Sequence, residues 1–177
     1  MKIFLIILAI YIILSGILYI VLDRLYKSGK LKYFKNVSNK ALFYLIQFTW
    51  ALLPTLLGCI VAFALIITGH KPVRYGMCFC FEMNVNWGLE LGIFFISHPK
   101  SKGTKNHEHG HAIQNIYLGP FALLCVSIPS CMRFWYREIY QMIHPGIKLV
   151  PYDSIWFEGT ASSSGTKFMN NYTGDIQ

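Results

Sequence analysis

The chain begins with an uncharged apolar run of 20 residues, from Ile3 to Leu22. An α-helix of that length is about 30 Å long, which matches the hydrocarbon core of a bilayer. The run exceeds the roughly 7–15 apolar residues of a cleavable signal peptide, and no small-x-small cleavage site follows it. The sequence therefore predicts a first helix that crosses a membrane, and the rest of the fold must be built beside a bilayer.

A second uncharged stretch extends from Ala41 to Thr68. It contains Pro54 and Gly58, which transmembrane helices tolerate. The chain is 54% hydrophobic, which is more apolar than an ordinary soluble protein. We therefore expect a two-span transmembrane hairpin over residues 1–69 and a second, membrane-associated unit over residues 70–177.

The net charge of +8 is concentrated in the short loop 23–40 between the two runs. Its basic residues are Arg24, Lys27, Lys30, Lys32, Lys35 and Lys40. Loops rich in Lys and Arg stay on the cytoplasmic side of a membrane, so we expect this loop to be cytoplasmic. Two spans would then place residues 70–177 outside the cytoplasm. Because these basic residues would attract anionic lipid headgroups, lipid is the expected partner. No interleaving of basic and aromatic residues is present, so we expect no nucleic-acid binding.

The five cysteines are an odd number and form no recognisable disulfide framework. Cys78 and Cys80 make a C-x-C pair that has no second pair to complete a metal site. We expect free thiols.

The segment from Tyr75 to Ser97 alternates in polarity and is rich in aromatic residues. This pattern predicts two short strands with a turn near residues 86–88. The next helix should begin near Thr104 or Asn106, either of which could cap it, and run to about Tyr117. The expected fold class is therefore an α+β membrane protein.

The strong breaker Gly119-Pro120 should end that helix. Residues 121–128 are apolar but too few to span a bilayer alone. We expect them to lead into a further helix that packs against the membrane or dips into it. A C-terminal helix that carries Glu158 should complete the unit.

The pentapeptide from His107 to His111 is an H-E-x-x-H motif within the predicted helix. Residues four apart on a helix lie about 40° apart around its axis, so His107 and His111 project from one face and can bind one zinc ion. Glu108 lies beside them, where it could deprotonate a zinc-bound water. His109 points away from both ligands, which predicts a packed or solvated side chain.

A zinc site of this kind needs a third protein ligand. Of the eight acidic residues, Glu158 is the best candidate because aromatic residues precede it and small residues follow it, which allows a second helix to approach closely. A carboxylate buried at such a position is costly unless it is paired or bound to metal. The alternative is a first-turn helix acid that complements the helix dipole.

These residues carry a family resemblance. H-E-x-x-H followed by Glu158-x-x-Ala161 resembles the gluzincin class of zinc metallopeptidases. More narrowly, four strings look like those of small bacterial membrane proteins of unassigned function: H-E-x-G-H-x-x-Q (107–114), L-G-P (118–120), I-P-S (128–130) and E-x-x-A-x-x-x-G (158–165). The resemblance covers about residues 88–165, and it implies that the membrane is a bacterial cytoplasmic membrane.

The resemblance implies zinc on His107, His111 and Glu158, with Glu108 as the general base. It also implies an edge strand before the motif helix, which would suit Leu89 to Ser97. Such a strand could align a peptide or protein substrate by β-augmentation.

The predicted function is that of a membrane-bound zinc metallopeptidase-like hydrolase. Tyr152 and His144 are candidate donors to the oxyanion, Tyr172 is not excluded, and Asp153 could orient a ligand imidazole. One alternative is a non-catalytic membrane scaffold or immunity-type protein that retains a structural or vestigial metal site. Another is an intramembrane protease with three or four spans.

Overall fold

The computed structural model describes residues 2–174, so the last three residues of the predicted second unit lie outside it. Within that range the fold is α+β, with six α-helices and one four-stranded sheet. The helices are α1 (Lys2–Lys27), α2 (Lys40–Phe48), α3 (Leu52–Ile67), α4 (Lys102–Leu118), α5 (Ile128–Ile143) and α6 (Trp156–Asn170). The strands are β1 (Pro72–Tyr75), β2 (Cys78–Glu82), β3 (Leu89–Leu91) and β4 (Phe94–Ser97).

Helix α1 is the one straight helix of residues 2–174 that is long and apolar enough to cross a membrane. Its 26 residues extend about 39 Å, and only Ser15 and Leu22 are buried. Two further segments reach span length only as bent pairs, α2 with α3 at 94° and α4 with α5 at 119°. The prediction of two clear transmembrane helices is therefore wrong, since the structure has one clear candidate.

The second predicted span breaks at residues 49–51 because its polar residues make contacts of their own. Gln47 is fully buried and donates from Nε2 to the carbonyl of Ala112 on α4 at 2.8 Å. This bond holds α2 against α4. Pro54 does not cause the break: it lies in the first turn of α3, where the missing N–H costs no helical hydrogen bond.

The sheet has the order β1-β2-β4-β3, in which only the β2/β4 pair is parallel. Two strands were expected between Tyr75 and Ser97, and the structure forms more because residues 89–97 fold into a hairpin instead of one strand. The hairpin reverses at Gly92, whose φ of +70° and closeness to Thr55 both require glycine. The edge strand beside α4 is therefore β3 alone. The predicted turn at residues 86–88 lies in the β2–β3 loop.

Helix α4 begins at Lys102, earlier than predicted, because Ser101 acts as its cap. The Ser101 Oγ accepts a hydrogen bond from the backbone N–H of Thr104 at 3.4 Å, so Thr104 contributes its N–H and not its side chain to the cap. The end of the helix at Leu118, before Gly119, agrees with the expected position.

Helices α4 and α6 pack antiparallel with their backbones nearly in contact. A Cβ added at Gly110 would lie 1.9 Å from the Ala161 carbonyl oxygen, and one added at Gly165 would lie 1.7 Å from that of Asn106. Small residues therefore let the two helices approach, as the sequence predicted. This close contact fixes Glu158 of α6 opposite the motif on α4.

The basic loop packs directly on these two helices. The backbone N–H of Phe34 donates to Ser164 Oγ on α6 at 2.8 Å, and the Phe34 ring packs on Tyr117 of α4 at a centroid distance of 4.9 Å. Tyr117 also donates from its hydroxyl to the carbonyl of Lys35. The basic loop therefore lies against the helix that carries the motif.

Candidate metal centre

The side chains of His107, His111 and Glu158 meet at one point between α4 and α6. His107 Nε2 lies 2.9 Å from Glu158 Oε2, His111 Nε2 lies 3.4 Å from the same oxygen, and the two Nε2 atoms are 3.1 Å apart. Tetrahedral zinc with ligands at about 2.0–2.1 Å would separate the ligand atoms by about 3.3 Å. The group could therefore hold a metal ion.

The burial of Glu158 also fits a bound cation. Its side chain is fully buried, and its Oε2 faces the Nε2 atoms of His107 and His111 at 2.9 and 3.4 Å. A buried carboxylate is costly unless a cation compensates it. Glu158 does lie in the first turn of α6, but a helix dipole does not explain why it is buried against two imidazoles. Two imidazole nitrogens and one carboxylate oxygen are a ligand set that zinc accepts.

Without a metal, a proton bridges the same groups. Burial lowers the pKa of His111, but the hydrogen bond and charge of Glu158, together with the charges of Glu108 and Glu90, raise it overall to about 9. Burial raises the pKa of Glu158, and the hydrogen bonds and charges of His107 and His111 outweigh this and hold that pKa well below its usual range. A metal ion that binds here must replace the bridging proton.

A chain of hydrogen bonds fixes the tautomer of His111. The carbonyl of Phe157 can only accept, so Gln114 turns its Nε2 toward it at 2.6 Å. The same Nε2 donates to Thr160 Oγ1 at 2.7 Å, and Thr160 in turn donates to the carbonyl of Trp156. Gln114 Oε1 is thereby left facing His111 Nδ1 at 2.8 Å, so Nδ1 carries the hydrogen and the Nε2 lone pair is free for a metal.

Replacing Gln114 with Ala is expected to weaken zinc binding by about 10–100-fold, because the His111 ring loses the partner that sets its orientation. Competition against a chromophoric chelator would measure the affinity. Gln47→Ala is the matched control, since Gln47 is equally buried but bonds to the backbone of Ala112 and not to an imidazole. An unchanged affinity in Gln114→Ala would show that the chain of bonds does not tune the site.

Ser162 makes the corresponding contact to the other imidazole. Its Oγ lies 2.8 Å from His107 Nδ1, on the side of the ring opposite the ligand atom. Neither Gln114 nor Ser162 was expected at the metal site from the sequence. The signal that could have found them is helical spacing, because Gln114 is three residues after His111 and Ser162 is four residues after Glu158.

Glu108 is buried next to the two imidazoles, and the chain leaves room for it at Gly88. A Cβ added at Gly88 would lie 2.1 Å from Glu108 Oε1. Burial raises the pKa of Glu108, an effect that the charge of Glu158 reinforces and that His107 and His111 partly offset. A raised pKa brings a carboxylate closer to the range in which it can accept and return a proton near neutral pH.

Of the candidate donors, Tyr152 is brought to the site. Its ring centroid lies 6.1 Å from that of His107. Burial and the nearby carboxylate of Glu158 raise the pKa of its hydroxyl, which therefore stays protonated and able to donate. Arg133 holds this segment through the backbone carbonyl of Tyr152 at 3.0 Å.

The structure does not bring the other candidates to the metal ligands. Asp153 is exposed, and its backbone carbonyl accepts from the Tyr26 hydroxyl at 3.0 Å. His144 is exposed at the end of α5 and packs on the ring of Tyr140. Tyr172, beyond the far end of α6, donates to the carbonyl of Gly76 at 3.1 Å.

His109 is a core residue, which settles the choice between packing and solvation. It is fully buried and stacks on Phe168 at a centroid distance of 4.6 Å. Its Nε2 accepts a hydrogen bond from the backbone N–H of Met77 at 3.2 Å. Burial lowers the pKa of His109 to about 3, so the ring is neutral at pH 7.

A cleft of about 770 Å³ opens beside His107, Glu108 and His111. One wall is β3 with the loop before it, and the other wall is α5. This volume falls within the range of small-molecule and peptide sites. The cleft therefore joins the ligand group to an open space in which a substrate could lie along an edge strand.

Comparison with known protein families, with curated proteins and with solved structures found no match. The gluzincin resemblance therefore stays a prediction from the motifs. What can be said of function rests on the geometry of this chain.

Proposed function

We propose that this protein is a zinc-dependent peptide hydrolase that α1 anchors in a membrane. The observation that carries the proposal is the group of His107, His111 and Glu158, whose two imidazoles line one cleft together with Glu108. Three protein ligands, two imidazoles and a carboxylate, are the number that catalytic zinc sites use, whereas closed structural sites use four.

The residues of the chain divide the chemistry between them. Zinc, when bound, polarises a carbonyl group and lowers the pKa of a water molecule toward neutrality. Glu108 accepts the proton of the attacking water on a carboxylate oxygen and returns it to the leaving amine. The hydroxyl of Tyr152 donates to the oxygen that becomes negative as the carbonyl is attacked. Backbone groups of β3 align the substrate as an added strand.

The first test is the metal content of the detergent-purified protein and three variants: His111→Ala, Glu158→Ala and Glu108→Gln. We expect about one zinc per chain in the wild type and in Glu108→Gln, and its loss in the two ligand variants. Zinc that is absent throughout, or that survives Glu158→Ala, would contradict the proposal. A non-catalytic scaffold or immunity-type protein would then be the better hypothesis of function.

Replacing Gly88 with Ala is expected to lower the rate of peptide hydrolysis by about 10–100-fold while the zinc content stays the same. The added Cβ would displace the Glu108 carboxylate, and a shift of about 1 Å in a reacting group can cost this much. The measurement pairs metal analysis with an assay on synthetic peptides. Gly16→Ala is the control because a Cβ there meets nothing within 4 Å. Equal rates in both variants would argue against Glu108 as the base.

A further inference from the structure

Helix α5 presents two different faces. One face lines the cleft and includes Ser130, Cys131 and Phe134 together with two charged residues, Arg137 and Glu138. The neighbouring face is an exposed apolar stripe, and no residue of α5 is buried. The stripe consists of Met132, Trp135, Tyr136, Ile139, Met142 and Ile143, each between 48% and 74% exposed.

These two faces meet at Trp135, which lines the cleft and is also 58% exposed. At 100° per residue, the stripe covers about 120° of the helix and the cleft face begins at its border. An apolar stripe of this width on a helix without buried residues needs an apolar environment. The mouth of the cleft would open into that same environment.

Contacts along α1 indicate what the environment is. Cys125 Sγ, in the turn before α5, contacts the backbone carbonyl of Ser15 at 3.3 Å. Ser15 lies eight residues before Asp23, the first charged residue at the end of the apolar run, which corresponds to about 12 Å of helix. Val126 follows Cys125 in sequence and lines the cleft. If α1 crosses the bilayer, this wall lies within a core whose half-thickness is about 15 Å.

The ligand group lies closer to the membrane surface. Phe157, the residue before Glu158, packs on Tyr19 at a centroid distance of 6.2 Å. Tyr19 is only four residues, or about 6 Å of helix, from Asp23. If α1 crosses the bilayer, the cleft therefore extends from the level of the headgroups at the ligands toward the hydrocarbon at Val126.

From this placement we propose that the cleft opens sideways into the bilayer and takes a membrane-anchored peptide. The anchor, an acyl chain or an apolar segment, lies against Val126, Phe134 and Trp135, and the peptide bond beyond it reaches the metal ligands. The substrate class rests on the proposed hydrolase function. The lipid access of the cleft does not depend on it.

Lipid access can be measured without any activity. Cys131 is the exposed native thiol of the cleft wall, and Cys78, Cys80 and Cys125 are buried. The Cys59→Ser protein is labelled with a fluorophore on Cys131 and reconstituted into phosphatidylcholine vesicles whose acyl chains carry bromine. We expect quenching by the brominated chains and protection from aqueous iodide.

Two control positions calibrate the signal in a Cys59→Ser, Cys131→Ser background. Ile12→Cys, on the exposed side of α1, should be quenched by bromine, and Ser28→Cys, in the basic loop, should be quenched by iodide. If the Cys131 label behaves like Ser28→Cys, the proposal is overturned.

The substrate class is tested with a mixture of synthetic peptides, each made with and without a palmitoyl chain. In vesicles we expect the palmitoylated forms to be hydrolysed on the order of 10²-fold faster, because anchoring raises their concentration at the cleft. Equal rates for the two forms would overturn the substrate class. If neither form is hydrolysed, the proposed hydrolase function fails, and the quenching result still decides whether the cleft opens into lipid.

Discussion

Glu108→Gln is expected to keep its zinc and to lose peptide hydrolysis by about 10²–10⁴-fold, the usual contribution of a general base. The amide has nearly the shape of the carboxylate, so the packing around Gly88 should be unchanged. It cannot accept the proton of an attacking water near neutral pH. The assay follows a defined mixture of synthetic peptides by mass spectrometry, with metal content measured on the same preparations.

This variant separates an enzyme from a protein that only binds metal. A structural site needs His107, His111 and Glu158 but has no use for a base, whereas catalysis needs all four side chains. Glu158→Ala is the matched variant that should lose zinc and hydrolysis together. Hydrolysis that persists at the wild-type rate in Glu108→Gln would remove Glu108 from the mechanism.

Gly165→Ala should lower the free energy of unfolding by about 3 kcal/mol or more, since its added Cβ would lie 1.7 Å from the backbone oxygen of Asn106. A backbone atom cannot move aside as the end of a flexible side chain can. Helix α6 would have to shift away from α4 and carry Glu158 away from His107 and His111. We therefore expect zinc affinity to fall together with stability, as measured by thermal unfolding in detergent and by chelator competition.

Gly103→Ala is the control for this effect. Gly103 lies on α4 as well, but it is exposed and a Cβ there meets nothing within 4 Å. Alanine favours a helix over glycine, so this variant should be unchanged or more stable by about 0.5–1 kcal/mol. If the two variants were equally stable, the close backbone contact between α4 and α6 would be contradicted.

The three candidate metal ligands could be predicted from the sequence because each stands out by its spacing or by its immediate neighbours in the chain. His107 and His111 are related by one turn of a helix, and Glu158 stands out as a carboxylate among aromatic and small residues. The small residues that follow Glu158, Ala161 among them, indicated the close helix pair for the same reason. The orienting role of Gln114 depends on Phe157 and Thr160, more than 40 residues away, and spacing alone could place it only on the correct face.

The second span and the sheet could not be predicted in detail because long-range contacts decide them. Gln47 counts as one polar residue in an apolar stretch, yet its bond to Ala112 turns α2 onto α4. Residues 89–97 have the composition of one strand, but Gly92 must reverse the chain where Thr55 of α3 approaches. In both places a partner distant in sequence determines the local structure.

The packing of Phe34 on Ser164 and Tyr117 has a consequence for where the chemistry takes place. By the positive-inside rule the lysines of loop 23–40 would set how the chain is inserted, and the loop is bonded to the same helices that hold the ligand group. With one crossing by α1, whatever orients the loop also orients the cleft. The positive charges would then place the proposed hydrolysis on the cytoplasmic side, where a two-span hairpin would have placed it outside. A variant of the loop with its lysines neutralised would invert the compartment of the reaction without altering the site.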